Sequence, residues 1–508
     1  MARSLMIQGT MSNAGKSLLV AGLARVLVQD GLRVAPFKSQ NMALNSFVAA
    51  DGGEMGRAQA MQAEAAGIAP DVRMNPILLK PEGERGSQVI VGGRARGSMS
   101  ARDYFTHRRD LVPEVMAAYR DLAASYDVVL VEGAGSPAEI NLQRDDIVNM
   151  GLARLIDAPV LLVGDIDPGG VFAQLVGTVQ LLDAADRERV RGLVINKFRG
   201  DVSILRPGLA PLEELCGAPV LGVVPYVDLD LDDEDSLSSR LDARSCARVI
   251  DIAVVRLPHL SNFTDFSPLE RNPAAGVRYV ARAEDLGRPD LVVLPGTKQT
   301  LDDLAWLKEA GLATCIEVLA AAGTPILGIC GGYQMLGEHI EDPLGTEGGG
   351  SADGLGLLPV RTSFAADKRL AQTEMELCPR EGIFACWNGL AARGYEIHAG
   401  ATVSAAAFFA VARGDASQNM GAVRENVAGT YLHGLFDEPA VVDTLVDALL
   451  TARGLPSSAP RVHDAQAYRE HQYDLLADTV RASLDMEAIY HIIEEGAADA
   501  PSMRREGA

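Results

Sequence analysis

The chain lacks any pattern of paired cysteines. Its six (216, 246, 315, 330, 378 and 386) are scattered, with no C-x-x-C pair and no Cys/His cluster at zinc spacing. A disulfide scaffold or structural zinc site is thereby disfavoured, and a reducing compartment is expected. No apolar stretch approaches the roughly 20 residues needed to cross a bilayer, so no membrane partner is expected. Met1-Ala2-Arg3-Ser4-Leu5 leads straight into a strand pattern without a signal-peptide core, and the expected location is cytoplasmic. Positive charge is also scarce: 46 Lys and Arg stand against 68 Asp and Glu, a net −22. Nucleic-acid binding needs a basic footprint and is not expected. An anionic substrate would have to find a locally basic site. Arg94, Arg96, Arg102, Arg108 and Arg109 form one basic stretch, for which exposed helix charge is the plainer reading.

What is present is ordinary globular material, 48% apolar and 22% charged, in a 508-residue chain too long for one core. Apolar runs near Leu5–Gln8, Arg33–Phe37, Asp127–Val131, Pro159–Gly164, Gly192–Asn196 and Pro219–Val223 alternate with helical patterns. That alternation predicts an α/β fold, a parallel sheet with helices on both faces. After Lys16, residues Leu19, Leu23, Val26 and Leu27 form one helical stripe that Gly31 stops. From Asp228 to Arg244 the composition is too acidic to build a core. A second alternating pattern follows at Ile250–Val255, Val277–Val280, Leu291–Leu294 and Thr324–Ile329, continuing to Thr430–His433. The expected organisation is a domain over 1–230, an acidic linker over 231–248, a domain over 249–450 and a helical, polar tail over 451–508. Gly345–Gly354 reads as a loop, and the chain end from Ala497 as disordered.

Cys330 lies at the end of the apolar run Thr324–Ile329, with Gly328 before it, Gly331-Gly332 after it and then a helical pattern. A thiol between strand end and helix start is pushed into the open on a tight turn, and small neighbours leave room for a substrate. The helix start offers a positive dipole end and free backbone N–H groups, which suit an anionic intermediate. Gly331, and Gly296 in the strand-end stretch Leu294-Pro295-Gly296-Thr297, are the expected oxyanion donors. Of the eight histidines, only His433 and His398 combine a strand-end position with a nearby glycine. His433, followed by Gly434, is the expected base for a Cys–His pair that takes an acyl group as a thioester.

The first strand pattern ends in Gly9-Thr10-Met11-Ser12-Asn13-Ala14-Gly15-Lys16-Ser17. Backbone N–H groups and a helix N-terminus there would cradle phosphates, Lys16 would neutralise them, and Ser17 would ligate Mg²⁺. Thr10 replaces the usual first glycine, with Gly9 one place earlier, so the loop is a variant. Glu132, at another strand end, is the first candidate to hold Mg²⁺ with Ser17; Asp51 and Asp146 are further acidic candidates. Asn196 is a candidate contact to a nucleotide base or a turn residue.

Gly328–Gly337 with Tyr431-Leu432-His433-Gly434 resembles a class I glutamine amidotransferase domain of the cobyrinate type, and the phosphate loop resembles that of dethiobiotin synthetase. In this order the two resemble the cobyric acid synthase family. Pro36–Asn45, Met74–Pro81, Glu132–Leu142, Asn196–Asp201, Ser261–Phe266 and Gly394–His398 carry the same likeness. The resemblance implies a doubly wound P-loop domain followed by an amidotransferase domain. It also implies ATP, Mg²⁺, glutamine and adenosylcobyrinic acid a,c-diamide as partners, with no bound redox cofactor and the oligomeric state open. The implied reaction amidates the b, d, e and g carboxylates to give adenosylcobyric acid. The related a,c-diamide synthase uses the same chemistry and stays an alternative. So does a P-loop switch protein with a non-catalytic second domain. Relatives carry a Glu two residues after the histidine, where this chain has Leu435, so a bare pair or a substitute partner such as Glu396 is implied. The family's Asp-Ile-Asp-Arg-Gly-Gly stands here as Asp165–Gly170 with Pro168 in place of Arg.

Overall fold

A computed structural model describes residues 2–82, 86–231, 248–412, 415–456 and 465–496. Most of the expected linker (231–248) and the chain end from Ala497 lie outside them. Among the described residues, contacts divide the chain into two compact units. One takes the residues up to Met42, Gly53–Leu231 and those from Arg469 onward; the other takes Ala43–Gly52 and the later residues up to Tyr468. Chain order alone does not announce either exchange.

The first unit is built on a parallel sheet. Its strand order is Val220–Pro225, Val190–Phe198, Val160–Asp165, Arg3–Gly9, Val128–Glu132 and Val34–Phe37. All six expected strands are therefore present. Val34–Phe37, Val128–Glu132 and Val160–Asp165 are buried at every position, as strands covered on both faces must be. After Glu132 the winding passes to the other side of the Arg3–Gly9 strand. That reversal opens a crevice at the strand C-termini, where doubly wound sheets bind ligands.

The helix Lys16–Gln29 buries Leu19, Leu23, Val26 and Leu27 as its stripe predicts, and Gly31 beyond it has φ +90°. Helices Ala465–Ser483 and Met486–Glu495 bring Leu476, Val480, Ile489 and Ile492 into the same core. Their approach explains a glycine in mid-helix: a Cβ on Gly22 would stand 2.7 Å from Val480 Cγ2. A four-stranded sheet (Gln40–Met42, Ile77–Pro81, Ser87–Val91, Arg94–Met99) and the short buried strand Glu54–Gly56 also belong to this unit. Arg94 and Arg96 are exposed on its edge strand, whereas Arg108 is buried and donates to Leu142 O, which corrects its reading as exposed helix charge.

In the second unit one sheet runs Ala275–Val280, Ile250–Val255, Leu291–Leu294, Ile326–Ile329, Val427–Thr430, Gly421–Arg424 and Ala407–Phe408. Its first five strands are parallel and the last two antiparallel. A second sheet is organised around the long antiparallel pair Val360–Leu377 and Ala391–Ser404. Two local expectations need correction. The strand expected to reach His433 stops at Thr430, leaving His433 on the following segment, bridged to Tyr395. Within the expected loop Gly345–Gly354, Gly350–Asp353 pairs as a strand with His339–Asp342.

Candidate active sites

In the first unit the Arg3–Gly9 strand releases the phosphate loop into the crevice. Thr10 N–H still bonds Val163 O at 2.9 Å, then Asn13 (φ +60°) and Gly15 (φ +90°) bend the chain into the Lys16–Gln29 helix. A Cβ on Gly15 would lie 2.1 Å from Asn196 Nδ2, so the glycine is required by both its backbone angle and its neighbour. Asn196 Nδ2 donates to Ala14 O at 2.9 Å, and Lys197 Nζ bridges Asn13 O and the Asp165 carboxylate. Asn196 thus braces the loop from behind. Lys16 is buried and its ammonium reaches Met11 O at 3.0 Å and Gly135 O at 3.3 Å, which aims it across the loop's concave face.

Glu132 ends the neighbouring strand, and its carboxylate accepts from Ser17 Oγ (3.0 Å), Lys38 Nζ (2.8 Å), Gln62 Nε2 (2.6 Å) and Gln59 Nε2 (3.3 Å). A buried carboxylate needs such partners, because an unpaired charge there is costly. The Ser17 hydroxyl and Glu132 carboxylate form a hard-oxygen pair beside the loop. That fits Mg²⁺, which typically takes one or two protein oxygens plus phosphates and waters. Among the described residues no group of three or more His, Cys, Asp or Glu is arranged for a metal. Asp146 accepts from the N–H groups of Val148, Asn149 and Gly151, tying the start of the Met150–Ile156 helix. Asp51 is exposed on a turn and belongs to the second unit.

In the second unit three neighbouring parallel strands deliver the chemistry. Leu291–Leu294 leads to Gly296, Ile326–Ile329 to Cys330, and Val427–Thr430 to His433. Cys330 takes φ +53°, ψ −110°, an unusual conformation for a side-chain-bearing residue, and opens the Gly331–Met335 helix. Its glycines are sterically required: a Cβ on Gly332 would sit 2.0 Å from Leu294 O, and one on Gly328 2.6 Å from Leu336 Cδ1. The thiol touches Ile397 O at 3.7 Å. Gly331 occupies the first helical position, where an amide has no intrahelical acceptor. Its Cα side faces Thr297, while Gly296 abuts His433 Cε1, so both expected oxyanion residues lie at the Cys–His site.

His433 is almost fully buried, and its Nδ1 lies 2.7 Å from Asp265 Oδ2; Asp265 Oδ1 accepts from Gly434 N–H at 3.0 Å. Nε2 has no hydrogen-bond partner of good geometry among the described residues. Burial by itself would lower the imidazole's pKa. The Asp265 carboxylate and the nearby Cys330 sulfur outweigh it and raise the value to about 10. Glu396, the expected substitute partner, is engaged elsewhere: it pairs with Arg369 at 2.9 Å and His398 Nε2 at 3.1 Å. The carboxylate absent at Leu435 is supplied from the Phe263–Phe266 turn instead. His398 is stacked on Tyr431, with ring centroids 3.6 Å apart.

Residues 5–236 match the family model of a CobQ/CobB/MinD/ParA nucleotide binding domain, and residues 251–441 that of a CobB/CobQ-like glutamine amidotransferase domain. The cobyric acid synthase of Ruminiclostridium cellulolyticum is 53% identical over 98% of both chains. That of Lachnoclostridium phytofermentans is 52% identical over 98% of this chain and 100% of its own. That of Citrobacter koseri is 50% identical over 97% of this chain and 99% of its own. The chain belongs to the cobyric acid synthase family. A nucleotide-binding unit and a glutamine amidotransferase unit therefore share one chain, and no helix among the described residues is long and apolar enough to cross a membrane.

Against that family assignment, sequence reasoning missed Asp265 and the ring of Lys38, Gln59 and Gln62 around Glu132. Asp265 and Lys38 both lie in stretches that carried the resemblance, Ser261–Phe266 and Pro36–Asn45. Their roles depend on partners 168 and 94 residues away, which no local pattern encodes.

Proposed function

We propose that this chain draws nitrogen from glutamine at Cys330 and uses it, with ATP, to amidate the b, d, e and g carboxylates of adenosylcobyrinic acid a,c-diamide, giving adenosylcobyric acid. The observation that carries the reading is the Cys330–His433–Asp265 arrangement in a chain that also holds the Gly9–Ser17 phosphate loop.

At the thiol site Asp265 fixes the proton on Nδ1, leaving Nε2 to exchange protons with sulfur. Nε2 carries the proton that has left Cys330, as an imidazole with its pKa raised to about 10 does at neutral pH, and sulfur attacks the side-chain carbonyl carbon of glutamine. The backbone N–H groups of Gly331 and Gly296 donate hydrogen bonds to the developing oxyanion. The C–N bond then breaks as Nε2 returns the proton to nitrogen, releasing ammonia and leaving a thioester. Water, losing a proton to Nε2, cleaves the thioester to glutamate and regenerates the thiol.

At the phosphate site Lys16 and the loop amides hold the triphosphate, and Ser17 with Glu132 would hold Mg²⁺, which neutralises phosphate charge. The substrate carboxylate attacks the terminal phosphorus and expels ADP. Ammonia displaces phosphate from the acyl phosphate and forms the amide. A carboxylate is a poor electrophile, so phosphorylation supplies the leaving group that direct attack lacks.

Counting added amides by mass tests the substrate assignment. With the a,c-diamide, glutamine and MgATP, four amidations are expected; amidation of cobyrinic acid only at the a and c positions would contradict it.

A further inference from the structure

The strand Leu291–Leu294 ends before Gly296, so its ladder does not fix where that glycine's amide points. Gly296 has no side chain to anchor it either, and its place is set by the residues around it. Pro295 O accepts from Gly332 N–H at 3.0 Å, which ties the segment to the helix that Cys330 opens. Thr297 packs directly on Gly331: a Cβ there would stand 2.6 Å from Thr297 Cγ2 and 3.2 Å from Thr297 N. On the other side Gly296 O accepts from Ser261 N–H at 3.0 Å, and Lys298 N–H donates to His259 O at 3.1 Å. This short antiparallel ladder, with Leu260 opposite Thr297, also roots the turn that carries Asp265.

The ladder closes on Asp303, which is fully buried. Its Oδ1 lies 2.7 Å from His259 Nδ1, while Oδ2 accepts from His259 N–H at 3.2 Å and from the Thr297 hydroxyl. That hydroxyl also lies 3.2 Å from His259 O and accepts from Gln299 N–H at 3.1 Å. Asp303 sits in the first turn of the helix Thr300–Glu309, whose positive end suits a negative charge. A carboxylate buried this deeply is costly unless it is paired, and these partners all belong to the ladder.

We propose that Asp303, with His259 and Thr297, is a positioning device for the oxyanion donors. It holds Thr297 between Gly296 and Gly331 and so sets the spacing of the two N–H groups that face the developing oxyanion. All three are positioning residues, acting only through Gly296 and Gly331. Preorganised donors are effective when held within about half an ångström of the productive geometry, which a glycine beyond a strand end cannot supply for itself. The inference rests on Cys330 being the glutamine nucleophile.

The experiment measures steady-state glutamate release by the full chain, with MgATP and the a,c-diamide present, in three variants. Thr297→Val keeps the methyl that packs on Gly331 and removes the hydroxyl. Thr297→Ser keeps the hydroxyl, and Asp303→Asn keeps the shape and removes the charge. Thr297→Val and Asp303→Asn are expected to lower kcat by about 10- to 100-fold, the scale of an ångström's misplacement, with the KM for glutamine unchanged. Thr297→Ser is expected to recover most of that loss. Alkylation of Cys330 by iodoacetamide, followed by peptide mass, needs the thiolate but forms no oxyanion. Its rate should therefore match that of the unsubstituted chain in all three variants. Full kcat in both Thr297→Val and Asp303→Asn would overturn the proposal. So would a raised KM at unchanged kcat, a loss in Thr297→Ser equal to that in Thr297→Val, or alkylation slowed in step with kcat, which marks a merely structural role. A Cys330→Ala chain that still released glutamate would instead refute the nucleophile reading beneath it.

Discussion

Asp265 and His433 stand 168 residues apart in sequence and 2.7 Å apart in space, carboxylate oxygen to Nδ1, both buried. The contact supplies from the Phe263–Phe266 turn what Leu435 cannot supply from the histidine's own loop. It fixes the imidazole tautomer and leaves Nε2 as the proton carrier. Replacement of Asp265 by Asn keeps the shape and removes the charge. Its expected effect is a drop of about 10²–10⁴-fold in kcat for glutamate release, since the wrong tautomer is then favoured. Amidation driven by added ammonia should continue, and steady-state assays with the two nitrogen sources compare the values directly.

Titration of His433 follows from the same contact. Its pKa rises from 6.5 to about 10 because the Asp265 and Cys330 interactions outweigh burial. The folded value exceeds the unfolded one, so the stabilisation is complete below about pH 6.5 and is lost as pH rises through about 10. Denaturant unfolding between neutral pH and pH 10 should show falling stability, and Asp265→Asn should flatten that slope. A slope unchanged in the variant would assign the loss to other groups.

Gly332 has a sharper packing constraint than its sequence neighbours suggest. The methyl of Gly332→Ala would meet Leu294 O at 2.0 Å, and backbone cannot move aside as a side-chain tip can. A loss of about 1–3 kcal/mol is expected, typical of overpacking, together with displacement of Cys330. Equilibrium unfolding and the rate of thiol alkylation in the variant measure the two effects separately.

The strands and both chemical centres were legible because their signals are local. Apolar runs of strand length, a glycine-framed cysteine and a Gly-Lys-Ser ending each lie within a few residues. Tertiary context decided the rest. The strand Val427–Thr430 stops short of His433 because the chain must leave the sheet to turn its imidazole toward Asp265. Asp146 accepts from backbone N–H groups at a helix start, a structural tie that its position in the sequence does not announce. Asn196 supports the phosphate loop through Ala14, a contact across 182 residues. Membership of Ala43–Gly52 in the second unit has no local signature at all.

The central claim, that Cys330 supplies nitrogen to a separate ATP-dependent site, is tested most directly with one variant. Cys330→Ala should be assayed for amide formation on the a,c-diamide with MgATP, once with glutamine and once with a high concentration of ammonia. The expected result is no amidation from glutamine and sustained amidation from ammonia. Full turnover with glutamine would contradict the account.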